Sequence, residues 1–279
     1  MLSYQHSYHA GNFADVHKHL SLSLIFNALN KKAKPWSYLE THSGTALYDL
    51  QGEHAQKTGE YLQGIERLRT GAQSGLLQQY LEAVASFNTA DGQLAYYPGS
   101  PSLAAHFARE DDVISLMELH PGEVELLRAV FKRNQQVAVH HRDGYEGVAS
   151  LLPPKPNRGL VLVDPSYEVK DEYLQVATFL RKAHLRWGNA CYAIWYPLLK
   201  AGNHREMLRR IEHSGIRRVL KSEFCVKDAG DERMYGSGML LINPPWQLDE
   251  QLEEACAVLF DQLATPDAAA PVTQWLVPE

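Results

Sequence analysis

The stretch that most constrains this chain is Gly159-Leu160-Val161-Leu162-Val163-Asp164-Pro165-Ser166-Tyr167. A short apolar run ends abruptly at an acid, a proline and an aromatic ring. A run of this length, bounded by Gly159 and Pro165, reads as a buried strand of a parallel sheet. Open α/β sheets place their ligands at the carboxyl ends of such strands. Asp164 and Tyr167 are therefore expected at the rim of a crevice. Pro165 holds Asp164 in an extended backbone and removes one N–H donor. The carbonyls there are left free to face a ligand. The plainer alternative is a strand end closed by a turn, with Tyr167 packed into the core.

Asp164-Pro165-Ser166-Tyr167 resembles the (Asp/Asn/Ser)-Pro-Pro-(Tyr/Phe) motif of S-adenosylmethionine-dependent amino-methyltransferases, with Ser166 in place of the second proline. The residue types suit the chemistry. An exocyclic adenine amine is a poor nucleophile because its lone pair is delocalised into the ring. A carboxylate and a nearby carbonyl can accept its N–H bonds and localise that pair, and an aromatic ring can stack on the base.

The 279 residues, 45% hydrophobic and 22% charged, suffice for one large α/β domain, or a domain with a small insert. A net charge of −6 excludes a whole-surface grip on nucleic acid, so any such contact needs a local basic face. Cys191, Cys225 and Cys256 have no paired spacing, which suggests a reducing cytosol and no thiolate metal site. The first residues lack a basic, then apolar, leader pattern. The longest uncharged stretch, 187–199, is too short to span a bilayer.

In chain order, residues 1–11 read as an irregular arm carrying Tyr4, His6, Tyr8 and His9. Asn12 is the expected cap of a helix whose stripe is Phe13, Val16, Leu20, Leu24 and Ala28, with Asp15, Lys18 and His19 off that stripe. His17 and His19 point to different helix faces, which argues against a metal cluster with His6 and His9. Residues 36–40 form the first strand, leading to Thr41-His42-Ser43-Gly44, the usual place for a nucleotide-type ligand. His42 stands where related turns carry their first glycine.

Residues 45–95 show helical stripes without strands and read as a helical insert subdomain. The methyltransferase domain is then 1–44 together with 96–279. Ser100, before Pro101, is the expected cap of a helix from Ser102. Val113–Glu118 is the second strand, and an acid at its end commonly accepts both ribose hydroxyls of an adenosine ligand. The third strand, 136–140, closes near Asp143-Gly144, which is either a turn or an acceptor for an adenine amine. Residues 191–196 form the fifth strand, stopped by Pro197. Arg217 to Val226 and Gly238 to Ile242 form a strand pair. Their loop, with Arg205, Arg209, Arg210, Arg217, Arg218 and Lys221, is the candidate basic face. The Ala/Pro-rich stretch 265–271 reads as surface loop.

Asn243-Pro244-Pro245-Trp246 matches the amino-methyltransferase motif better by letters than Asp164-Pro165-Ser166-Tyr167 does. It closes the last strand of an antiparallel pair, however, so it should face the opposite edge of the sheet. It is read as a structural exit turn.

One family shares the whole ordered set. The start Met-Leu-Ser-Tyr-x-His-Ser-x-His-Ala-Gly-Asn, Ala-Asp-Val-x-Lys-His, Thr-His-x-Gly, Tyr-Tyr-Pro-Gly-Ser-Pro, Glu-Leu-His-Pro, Asn-Pro-Pro-Trp and the final Trp-Leu-Val-Pro-Glu resemble the large-subunit (23S) ribosomal RNA adenine-N6 methyltransferases of the RlmJ type. The resemblance implies a Rossmann-like, mostly parallel sheet of seven strands with a helical insert. It implies S-adenosylmethionine contacts at His19, His42, Ser100, Glu118, Asp143 and Gly144, with S-adenosylhomocysteine as product. Asp164, with Pro165 and Tyr167, is the implied catalytic group, and Tyr4, His6 and Lys18 are the implied RNA-side residues. The departure, Ser166, bears on loop rigidity more than on reaction type. The expectations that follow are a cytoplasmic monomer acting on protein-free or early-assembly ribosomal RNA, without metal or membrane. A DNA-acting enzyme or DNA-binding protein linked to use of external DNA is the second reading.

Overall fold

The computed structural model describes residues 5–71, 75–89, 92–230 and 233–279. Ten strands occur among them: β1 Ser37–Glu40, β2 Leu47–Asp49, β3 Tyr96–Pro98, β4 Val113–Glu118, β5 Val137–His141, β6 Gly159–Val163, β7 Cys191–Leu198, β8 Val219–Cys225, β9 Gly236–Ile242 and β10 Val272–Val277. Ten α-helices connect them: α1 Phe13–Asn30, α2 Glu53–Thr58, α3 Ile65–Thr70, α4 Gly75–Ala85, α5 Ser100–Phe107, α6 Pro121–Phe131, α7 Gly144–Leu151, α8 Glu172–Arg186, α9 His204–Glu212 and α10 Leu248–Leu263.

The main sheet has eight strands in the order β10-β8-β9-β7-β6-β1-β4-β5. β5, β4, β1, β6 and β7 run parallel, and β9 is inserted antiparallel between β7 and β8. The order reverses at β1, which lies between β4 and β6. That is where a doubly wound sheet opens its crevice. The expected count of seven falls one short. β10 pairs antiparallel with β8, and its exposed residues give no alternation by which a strand could be read.

The central run of β6 explains its own burial. Leu160 and Leu162 pack with α1, α5, α6 and α10 on one face, while Val161 and Val163 pack with α7, α8 and α9 on the other. Both faces are covered, so the strand is apolar throughout. Gly159 is required at its start, because a Cβ there would lie 1.8 Å from the Ser37 carbonyl oxygen of β1.

Helix α1 begins as the sequence predicts. The Asn12 side chain accepts from the N–H groups of Ala14 and Asp15, satisfying two orphan donors of the first turn. The polar face of α1 is not solvated: Asp15, His17, Lys18 and His19 are all buried. Its polar residues reach both ways: His17 meets Ser222 and Ser237 of the sheet and Lys18 reaches Asp164, while Asp15 bonds His6 and Gly11 of the arm and His19 meets Tyr97. The segment 45–95 holds one strand, β2, paired with β3, which corrects the strandless reading. A three-residue strand carries too little pattern to be seen. Its apolar residues, among them Ile65, Leu68, Leu77 and Tyr80, enter the same cluster as Leu20 and Phe26 of α1.

Two further boundaries differ. β7 runs through Pro197 to Leu198, because the lost donor falls at the end of the ladder. α5 starts at Ser100 with Gly99 as its cap, so the Ser100 hydroxyl is released for another partner.

Candidate active site

A cavity of about 390 Å³ opens at the carboxyl ends of β1, β4, β6 and β7. Every site residue singled out from the sequence, except Tyr4, lines it. Tyr4 lies outside the described residues.

On one side the cavity is built around Asp164. Lys18 donates from Nζ to Asp164 Oδ2 at 2.6 Å and sits 3.0 Å from Asp15 Oδ1. Asp15 Oδ2 accepts from the Gly11 N–H at 2.9 Å and lies 2.8 Å from His6 Nε2. A buried chain of alternating charge therefore runs from the arm to the end of β6. Burial opposes the charge on Lys18, but Asp164 and Asp15 outweigh it and hold its pKa above the usual lysine value. Burial likewise opposes ionisation of Asp15, and His6 and Lys18 drive its pKa well below the usual range. The other carboxylate oxygen of Asp164, Oδ1, has no hydrogen-bond partner among the described residues.

Tyr167 is placed differently from a free stacking platform. It is 7% exposed, has φ +55°, donates its hydroxyl to the Trp195 carbonyl at 2.7 Å, and packs on Tyr173 with ring centroids 4.3 Å apart. It still lines the cavity. Trp195 lines it too, with Lys18 Nζ 5.8 Å from its ring centroid. Its indole N–H donates to Ser237 Oγ at 2.9 Å.

The opposite side gathers the residues expected at the donor. Glu118 accepts from the N–H of Gly44 at 2.8 Å and of His120 at 2.7 Å. Asp143 caps α7 by accepting from the Glu146 N–H at 2.9 Å. A Cβ on Gly144 would lie 1.8 Å from the Thr41 carbonyl oxygen, so glycine is needed here for packing, whatever else it does. His42 lies 2.7 Å from Thr41 Oγ1 and meets Tyr145 edge-on, and burial lowers its pKa. His19 Nδ1 lies 2.7 Å from the Tyr97 hydroxyl, and burial pushes its pKa down to about 3, so the ring is neutral. Ser100 donates to Glu40, a fully buried acid at the end of β1 whose pKa burial pushes up to about 8. Among the described residues, His19 Nε2, Glu40 Oε2 and Ser43 Oγ are buried without a hydrogen-bond partner. Buried polar atoms without partners are costly, and two on residues lining one cavity are what a polar ligand would satisfy.

Sequence reasoning did not single out Asp15, Glu40 or Trp195 as site residues. The i, i+3 spacing of Asp15 and Lys18 was a usable signal. Trp195 gave none, since an aromatic residue within a strand reads as core. His17 bonds Ser237 Oγ at 3.0 Å and Ser222 Oγ at 3.2 Å and is a core histidine. The candidate basic face is split: Arg217 and Arg218 bond the chain end around Pro278 and Glu279, at the far edge, and Arg209 and Arg210 pair with Glu206. Asn243 also lies at the far edge, donating to the carbonyls of Gly188 and Ala190 ahead of β7.

Comparisons with known proteins identify the family. A family model described as ribosomal RNA large subunit methyltransferase D, RlmJ, matches residues 33–277. Ribosomal RNA large subunit methyltransferase J of Escherichia coli is 42% identical over 281 residues, covering 100% of both chains. The chain belongs to this family. The Haemophilus influenzae protein of the same name is 41% identical over 283 residues, again covering both chains completely. A crystal structure of a Legionella pneumophila protein superimposes with a TM-score of 0.89 at 33% identity, covering 96% of this chain and 98% of that one. The fold is thus that of the family's methyltransferase sheet, and the chain is an enzyme of a methyltransferase family.

Proposed function

We propose that this protein transfers a methyl group from S-adenosylmethionine to the exocyclic N6 amine of an adenine in large-subunit ribosomal RNA, releasing S-adenosylhomocysteine. The observation that carries this reading is Asp164. It stands at the end of the central strand beside Pro165 and lines the cavity, with one oxygen held by Lys18 and the other without a hydrogen-bond partner among the described residues. The descriptions of the family and of both relatives favour ribosomal RNA over the DNA-acting alternative.

The residues fit the donor. Glu118 suits the ribose hydroxyls. His19, Ser43 and Ser100 suit its amino-acid end, where unpartnered buried polar atoms collect. His42, Asp143 and Gly144 close the adenosine side. The donor, when bound, supplies an electrophilic methyl on a cationic sulfur. The protein's own work is positional and electrostatic. Lys18 orients Asp164. Asp164 Oδ1 and the Pro165 carbonyl accept the two N–H bonds of the amine and leave its lone pair directed at the methyl. Tyr167, fixed by Trp195 and Tyr173, bounds the plane of the base, and contact with the RNA falls to His6 and, by family likeness, Tyr4. Residues 45–95 act as an inserted helical subdomain: Glu60 binds His9 and Asn12, and His54 stacks on Tyr8, so the segment anchors the arm beside the cavity. The setting we infer is a cytoplasmic monomer working on protein-free or early-assembly RNA. Among the described residues no helix is long and apolar enough to cross a membrane.

The test is tritiated-methyl transfer to unmodified ribosomal RNA and to DNA, with the product base mapped. Asp164→Ala should nearly abolish transfer to RNA with donor affinity retained. Asn243→Ala should leave transfer near wild type, with only a stability loss. The reverse pattern would move the chemistry to the other edge of the sheet.

A further inference from the structure

The edge of the sheet opposite the cavity carries positive charge that the site does not use. Helix α1 runs from the cavity to that edge and ends at Asn30. Lys31, Lys32 and Lys34 follow, all exposed, and among the described residues none of them forms an ion pair. Two guanidiniums lie beside them. Arg109 donates to the carbonyls of Lys32 at 2.9 Å and Lys34 at 3.1 Å. Arg158 donates to the same Lys34 carbonyl at 2.8 Å and to that of Leu29 at 2.6 Å. Burial and the nearby Arg109 charge lower the pKa of Arg158. Lys155 is exposed on the adjoining loop, which is tied to the start of β1 by Ser37 Oγ donating to the Pro156 carbonyl at 2.8 Å.

The carboxylates nearby are Asp112, Glu110 and Asp111, half as many as the cations. Asp112 is committed to Arg109 at 3.0 Å and to the Trp36 N–H at 2.7 Å. A helix C-terminus accounts for one or two lysines. It does not account for two guanidiniums on one carbonyl under a fringe of three lysines, in a chain of net charge −6. Like charges held this close are relieved by an anion laid over them.

We propose that this edge is a docking surface for RNA phosphates outside the stretch whose adenine enters the cavity. The inference rests on the RNA reading above. Lys18 and Lys31 are separated by about 20 Å along α1 at the helical rise per residue. A short oligonucleotide filling the cavity does not reach the patch, whereas a long folded RNA does. Lysines on phosphates read charge and not sequence, so the contact adds affinity without choosing the base.

The experiment combines Lys31→Gln, Lys32→Gln and Lys34→Gln. Binding is measured by filter retention across a salt series, on a full-length unmodified 23S ribosomal RNA transcript and on a short stem-loop cut around the mapped methylated base. The expected result is a loss of transcript affinity of about tenfold or more near 0.1 M salt, with the slope of log affinity against log salt falling by about 2–3. Methyl transfer to the short stem-loop should keep its kcat and KM, and the melting temperature should not move. An unchanged slope and affinity overturns the proposal. So does an equal loss on both RNAs, which would put the lysines in the path of the cavity-bound strand. Failure of the wild type to methylate either RNA would remove the function proposed above, while the two binding curves would still decide the docking surface.

Discussion

At the scale of single residues, the site is made of groups that already have partners. Glu118 holds the Gly44 and His120 N–H groups, so it shapes the turn after β1 as well as offering lone pairs to a ligand. Glu118→Ala should weaken S-adenosylmethionine binding by about 1.5–3 kcal/mol, the loss of a charged acceptor, and should also lower the melting temperature because two donors lose their partner. Calorimetry showing unchanged donor affinity in a folded variant would take Glu118 out of the site. Glu40 makes a second prediction. Its folded pKa of about 8 lies above its ordinary value of 4.5, burial being the main cause and the nearby Asp164 a further one. The folded state therefore holds that proton more tightly than the unfolded chain does. The contribution to stability is complete below about pH 4.5 and is lost as pH rises toward 8, by up to about 1.4 kcal/mol per unit. Glu40→Gln should flatten that decline. Denaturant unfolding at pH 5 and pH 8 that falls equally in wild type and variant would show that another group carries it.

At the scale of elements, two strand ends carry nearly the same letters and different roles. β6 delivers Asp164 to the cavity because it is parallel to β1. β9 delivers Asn243 to the far edge because it is antiparallel to β7. The loop after β6 is where Ser166 replaces the second proline of the motif. Its N–H makes no hydrogen bond among the described residues, and its hydroxyl makes a 3.5 Å contact with the Glu168 N–H and a weak one with the Glu172 carboxyl. Proline at this position forfeits little, restricts Pro165 to an extended backbone and narrows the unfolded ensemble. Ser166→Pro should raise stability by roughly 0.4–1 kcal/mol and preserve or improve turnover, with donor affinity unchanged. Ser166→Ala separates the causes. A large loss of turnover in a stable Ser166→Ala protein would give the hydroxyl a role of its own. Helix α1 illustrates a different element-level effect. Its stripe predicts one buried face, yet its polar residues are buried too, since His17 meets serines of β8 and β9, Lys18 reaches Asp164 and Asp15 bonds the arm.

At the scale of the whole molecule, the sheet has two edges, and β10 protects one of them. It covers β8, whose residues Val219–Cys225 would otherwise leave a row of backbone groups unpaired. A chain ending at Ala264 should keep its cavity, whose nearest strand, β7, is three positions from β10 in the sheet, but should melt at lower temperature and scatter light on standing. A truncated protein as soluble and as stable as the full chain would show that the β8 edge needs no cover.

The central strand, the first helix with its cap, the parallel succession of strands and the residues that line the cavity were legible in the sequence. Each is set by local chemistry: an apolar run bounded by glycine and proline, a capping asparagine, an acid at a strand end. Asp164 was distinguishable from Asn243 because strand direction follows from the hairpin between β8 and β9. Tertiary structure alone decided the rest. It decided that Lys18 and Asp15 form one charged chain with Asp164, 146 residues from Lys18 in the sequence. It decided that Tyr167 is pinned by the Trp195 carbonyl, that Ser100 serves Glu40 and not its helix, and that Arg217 and Arg218 bond residues 278–279 while Arg209 and Arg210 pair with Glu206. These are contacts between residues far apart in the chain, fixed by which faces the packed sheet and helices bring together, and no local pattern encodes them.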